Sequence, residues 1–81
     1  MKRLSYLKYI EELCIGEKIG HASELLRKEF GAEMYDDKID DGGDERGTYV
    51  MKRCFEFGNK DVILYYLDQD GIVDFVEIRN D

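Results

Sequence analysis

The apolar residues of this 81-residue chain change their spacing once, near its middle, and that change limits the folds open to it. In the first part Leu4, Leu7, Ile10, Leu13 and Cys14 recur at steps of three and four. Ala22, Leu25, Leu26 and Phe30 do the same, with Glu24, Arg27, Lys28 and Glu29 on the opposite side. Each set forms one stripe of a helix, so helices are predicted over residues 2–15 and 20–30, with Gly16 and Gly31 ending them. In the last part the period is two: Tyr49, Met51, Arg53, Phe55 and Phe57 alternate with Val50, Lys52, Cys54 and Glu56, which predicts a strand over 48–57. Gly58-Asn59-Lys60 is a turn, the unbroken apolar run from Val62 to Leu67 fits a central strand over 61–67, and Asp68-Gln69-Asp70-Gly71 is a second turn before a strand over 72–78. Turns this short join antiparallel neighbours. The expected fold is therefore α+β: a single domain with two N-terminal helices packed on one face of a three- to four-stranded antiparallel meander, the other face being open.

Between the two parts lies the main charge feature. Residues 33–45 hold seven carboxylates against Lys38 alone, so this stretch carries minus six of a total of minus seven. Mutual repulsion keeps such a block extended in water and unable to bury itself. The expectation is an acidic loop over 33–47, with Met34 and Tyr35 as candidates for a short extra edge strand at its start. A loop of that length is a place to look for function.

Composition narrows the class. An acidic surface repels nucleic acid and anionic lipid and steers the protein toward basic partners. Ten aromatic residues and no proline argue for a packed globule. Lys8, Glu11 and Glu12 interrupt the N-terminal apolar residues before a signal peptide or membrane span could form, so a cytoplasmic protein is expected, with neither nucleic acid nor membrane as direct partner. Cys14 and Cys54 stand forty positions apart without a metal-ligand spacing. They read as reduced, small apolar residues, a single disulfide being the other option.

No catalytic residue, cofactor or metal site is expected. Asp68, Asp70, Gly71 and Glu77 match four positions of a calcium-binding loop, but Tyr66 stands where its first carboxylate belongs and strands flank it, so a hairpin turn is expected. His21 has no orienting carboxylate or nucleophile placed beside it by the sequence. Ser23 reads as a helix-start residue, and Ser5, Ser23 and Thr48 lack a nucleophile-elbow context. The paired carboxylates Asp36-Asp37 and Asp40-Asp41 would both stay ionised and solvated in a polar loop, which does not suit acid–base catalysis.

Binding is the remaining use of these residues. Asp36, Asp37, Asp40, Asp41, Asp44 and Glu45 would supply charge to a basic partner. Tyr35 and Tyr49 would be anchors, together with whichever of Tyr65 and Tyr66 faces away from the helices, since consecutive strand residues point to opposite faces. The competing expectation is that Arg46, Lys52, Arg53 and Lys60 neutralise the acids internally. A homodimer through the open face or an edge strand near Tyr49 is a further option.

From Ile19-Gly20 to Phe30-Gly31, and again over Leu64-Tyr65-Tyr66-Leu67-Asp68-Gln69-Asp70-Gly71-Ile72-Val73, the chain resembles the small α+β fold of β-lactamase-inhibitor proteins and small outer-membrane assembly lipoproteins. The shared marks are a helix between two glycines eleven residues apart and strands joined by an Asp-x-Asp-Gly turn. No lipid-bearing cysteine lies near the start, so the resemblance implies the inhibitor branch. In size, acidity and layout the chain is also similar to bacterial immunity proteins, which bind and neutralise a toxin domain. These resemblances imply an inhibitor of a cognate basic toxin domain such as a nuclease. The alternative expectation is an acidic regulator that mimics nucleic acid, or a small structural interaction module.

Overall fold

The computed structural model describes residues 6–41 and 49–79. Two helices, α1 (Tyr6–Cys14) and α2 (Ile19–Phe30), precede four strands, β1 (Glu33–Asp41), β2 (Val50–Phe57), β3 (Lys60–Leu67) and β4 (Val73–Arg79). The strands form one antiparallel sheet in the order β1-β2-β3-β4. The α+β meander read from the sequence is the observed fold.

The stripe of α1 delivers Ile10 and Cys14 to the core, and α2 delivers Ala22 and Leu26. They close on Phe55, Val62, Leu64, Val73 and Val76 from one side of the sheet. Gly16 takes φ 92, a left-handed value that suits glycine, and ends α1. The segment between the helices is then pinned to the start of β4: Gly16 N–H donates to Val73 O at 2.8 Å, Val73 N–H to Glu17 O at 2.9 Å and Ile19 N–H to Gly71 O at 2.6 Å. Gly31 closes α2 at φ 68, its N–H donating to Arg27 O, while Ala32 N–H donates to Leu26 O in a Schellman arrangement. Helix α2 begins at Ile19, before Gly20, and its first residues lack a side-chain cap. Ser23 therefore does not start the helix as expected. Its hydroxyl donates to Ile19 O at 2.7 Å.

Both cysteines are free and buried. Burial, aided by the charge of Glu17, pushes the Cys14 thiol up to about 11. The thiols are packing residues, as expected. Tyr6 and Tyr9 belong to an edge-to-face cluster with Phe30 and Phe57 at one end of the core, and the Lys60 ammonium lies 4.8 Å above the Tyr6 ring.

The acidic segment also departs from expectation. The segment expected as an acidic loop over 33–47 is a nine-residue edge strand, β1, as far as Asp41. Repulsion among its carboxylates already favours an extended backbone, and pairing with β2 sets Asp37 directly opposite Arg53. The rest of the expected loop, including Asp44 and Glu45, lies outside the described residues. Because β1 covers β2, Tyr49 precedes an inner strand, and the edge considered near it for a homodimer belongs to β1 instead.

Candidate functional site

Strand β1 carries most of the residues singled out in the sequence, and its alternation divides them between the two faces of the sheet. Register shifts at Tyr35 and Asp40 mark bulges, with regular pairing from Asp36 to Ile39 between them.

On the helix side, Asp37 Oδ2 accepts from Arg53 Nη2 at 2.8 Å and its Oδ1 accepts from the Tyr66 hydroxyl at 2.8 Å. Arg53 Nη1 donates to Ser23 Oγ at 3.0 Å, which ties β1 and β2 to α2. The guanidinium also lies 5.9 Å from the Tyr66 ring centroid, and its Nε is buried without a partner. Tyr66 is only 6% exposed, so it is not a surface anchor. Its place is inside this network, where burial and the Asp37 carboxylate raise its pKa.

Beside the network, a groove of about 480 Å³ runs between α2 and β1. Ala32, Met34 and Phe55 form its apolar wall, with Ser23, Arg27 and Arg53 on the polar side. Met34 and Ile39 on β1 are 53% and 52% exposed, because the helices do not reach over the edge strand.

On the side away from the helices, Lys38 and Lys52 are cross-strand neighbours, and each draws in a carboxylate. Lys38 Nζ lies 3.2 Å from Asp36 Oδ2 and Lys52 Nζ 3.5 Å from Asp40 Oδ1. Asp36 Oδ1 also accepts the Asp37 N–H at 2.9 Å. Asp36, Asp37 and Asp40 are thus engaged by this chain's own cations, the internal neutralisation that competed with the binding expectation. Asp37 and Asp40 find their counter-ions across the ladder on Arg53 and Lys52, while Asp36 finds Lys38 on its own strand.

The same face holds an aromatic patch. Tyr65 packs against Phe75 with ring centroids 5.5 Å apart. Phe75 is 55% exposed and Tyr35 54%. The Tyr65 hydroxyl donates to Glu77 Oε1 at 2.8 Å, and Arg79 Nε donates to Glu77 Oε2 at 3.0 Å. Burial and the Glu77 carboxylate push Tyr65 up to about 12 from an ordinary 10.0. The hydrogen bonds from Arg79 and Tyr65 hold Glu77 below its ordinary range. The folded state therefore keeps the Tyr65 proton longer than the unfolded chain does. This contribution is present below pH 10 and is lost as pH rises toward about 12. Urea unfolding across that range is expected to show a steeper alkaline loss of stability for the native chain than for Tyr65→Phe. Equal slopes would disprove the coupling.

Phase reading of the sequence did not single out Phe75. Val73 and Val76 are both core residues three positions apart, which strict alternation forbids. A register shift between Tyr65 and Tyr66 takes up the extra residue, Asp74, and turns Phe75 outward. That mismatch of spacing was the available signal. Met34, Ile39 and Glu77 were also passed over as surface residues.

Other candidates have structural places. Tyr49 is clamped to the β3–β4 turn, its N–H donating to Asp68 Oδ1 at 3.1 Å and its carbonyl accepting from Asp68 N–H at 3.0 Å. Asp70 Oδ1 accepts the Ile72 N–H at 2.9 Å within that turn, where Gly71 has φ 69. The turn expected in place of a calcium loop is what these residues build. His21 Nδ1 lies 2.7 Å from Glu17 Oε1, an orienting carboxylate that the sequence reading did not assign, on an exposed helix start. Among the described residues no group of His, Cys, Asp and Glu is arranged to hold a metal ion, and no helix is long and apolar enough to cross a membrane.

Comparison with known proteins found no matching family model, no curated protein of similar sequence and no solved structure of similar fold.

Proposed function

We propose that this chain is an inhibitor of the immunity-protein kind, which neutralises a basic toxin domain, a nuclease, by covering its cationic surface with the open sheet face and edge strand β1. The observation that carries the proposal is the Tyr65–Phe75 ring pair beside Glu77 on the open face, with Tyr35 exposed as a separate ring on edge strand β1. Exposed aromatic rings give contact area at little entropic cost, and ionised groups around them select the partner. The net charge of minus seven supplies long-range attraction to a cationic surface.

The pairing of Asp36, Asp37 and Asp40 shifts the weight of the proposal from free loop carboxylates to rings. These acids shape the rim, and a partner's lysines and arginines would compete with Lys38 and Lys52 for them. A nucleic-acid mimic gains less support, because it needs unpaired carboxylates in a phosphate-like row.

Co-expression with a basic toxin domain encoded beside this chain's gene is the direct test. The native chain is expected to restore growth and to bind the domain with an affinity that falls as salt rises. The double variant Tyr35→Ala, Phe75→Ala is expected to weaken binding about tenfold or more, since exposed rings at the centre of an interface carry much of its energy. Unchanged affinity in that variant, with the fold intact by circular dichroism, would rule out the aromatic face as the docking surface.

A further inference from the structure

Strand β1 ends the sheet, and no described strand pairs with its outer side. Exposed sheet edges are templates for another strand, and proteins usually blunt them with charge or bulges. Here bulges flank Asp36–Ile39 but leave that stretch in regular register. The edge is also open on its helix side, where Met34 and Ile39 are exposed and the groove below α2 begins.

We propose that the partner adds an extended basic segment to the outer edge of β1 as a fifth strand, and that its alternate side chains enter the groove between α2 and β1. This rests on the reading of the partner as basic and adds how it is gripped. Two features converge on it: a strand edge that no described strand pairs with and, next to that edge, a groove large enough for apolar side chains. In a docked strand, residues alternate between faces. One set would cover Met34 and Ile39 and reach toward Ala32 and Phe55. The other set, on the open face, would pass Asp36 and Asp40. Main-chain hydrogen bonds would give affinity, and the groove would give selectivity.

Charge decides the occupant. Strand β1 holds Glu33, Asp36, Asp37, Asp40 and Asp41 against Lys38, a sum of minus four. A second copy of β1 would bring the same charge to the same edge, whereas a lysine-bearing segment meets a complementary one. The buried, unpartnered Arg53 Nε lies in a residue that lines the groove, so a backbone carbonyl or side-chain oxygen entering there would gain a donor.

The probe is a synthetic peptide of about ten residues alternating lysine and valine, titrated into the full chain and followed by amide chemical shifts. Shifts are expected at residues 33–39 and at Ser23, Arg27 and Arg53. Methylating alternate peptide amides is expected to weaken binding about tenfold in one phase and little in the other, because only one phase of N–H groups faces β1. Ile39→Lys should also weaken it. If both methylated peptides bind equally, or shifts centre on Tyr65 and Phe75, strand addition is wrong while the basic-partner reading stands. If no lysine peptide binds, or a glutamate–valine peptide binds as well, both fall. Concentration-dependent shifts in β1 without peptide would assign the edge to a second copy and overturn the proposal.

Discussion

Leu64→Ala is expected to remove about 3 kcal/mol of folding stability, the largest effect of any substitution considered. Leu64 lies on the central strand β3, fully buried, between Arg53 of β2 and Val76 of β4. It belongs to the buried cluster that joins α1 and α2 to the sheet. Truncation removes the transfer free energy of the lost methyl groups and leaves a cavity that strands held on both sides cannot collapse to fill. A chain of 81 residues has a total stability of only about 4–12 kcal/mol, so the variant should be partly unfolded near room temperature or melt far lower. Urea unfolding measures it, with Phe75→Ala on the open face as a control expected to lose no more than about 1 kcal/mol, the size of its cross-strand pairing with Tyr65. A loss below about 1 kcal/mol for Leu64→Ala would mean that the helices do not rest on the sheet as described.

Asp37→Ala is expected to lower stability by about 2 kcal/mol. Asp37 is the acceptor for both Arg53 and Tyr66, at 2.8 Å each. Its removal leaves the Arg53 guanidinium without its paired carboxylate, and leaves a tyrosine hydroxyl in a buried residue without its carboxylate acceptor. The side chains of Arg53 and Asp37 are 21% and 29% exposed, so water takes up part of the loss and the figure stays below that for a fully buried pair. A double-mutant cycle with Arg53→Met isolates the coupling, which should be about 1 kcal/mol or more. If Asp37→Ala is no more harmful than Glu33→Ala at an exposed position of the same strand, the network is not holding β1 in place. The cycle also bears on function, since it separates a carboxylate that anchors the edge strand from one that a partner would grip.

The helices and β2 were legible because their apolar residues keep one period each, and β3 and β4 because short apolar runs rich in branched residues are bounded by turn residues. Helix α2 was placed to within a residue, Ile19–Phe30 against 20–30, and β3 likewise, Lys60–Leu67 against 61–67. Strand β1 was legible only at its start, where Met34 and Tyr35 were candidates for a short edge strand. Its sequence, Glu-Met-Tyr-Asp-Asp-Lys-Ile-Asp-Asp, has few apolar residues and no alternation, because an edge strand with bulges need not bury either face. Its strand character comes from partners nine or more positions away. The candidate site divided in the same way. Tyr35 is exposed as expected, while Asp36, Asp37 and Asp40 found counter-ions on the chain itself. Of the tyrosine pair, alternation gave the certainty that one would face outward, and only the register showed that it is Tyr65.

Local sequence determined what each segment is able to bury: two helical stripes, a meander of apolar strands and a negative excess too large to hide. Tertiary structure decided where that excess goes. Coulomb attraction acts over a few ångströms in space, not along the chain, so which carboxylates meet Lys52 and Arg53 and which rings stay uncovered follow from strand order and register. Those two properties are set by the packing of the whole sheet.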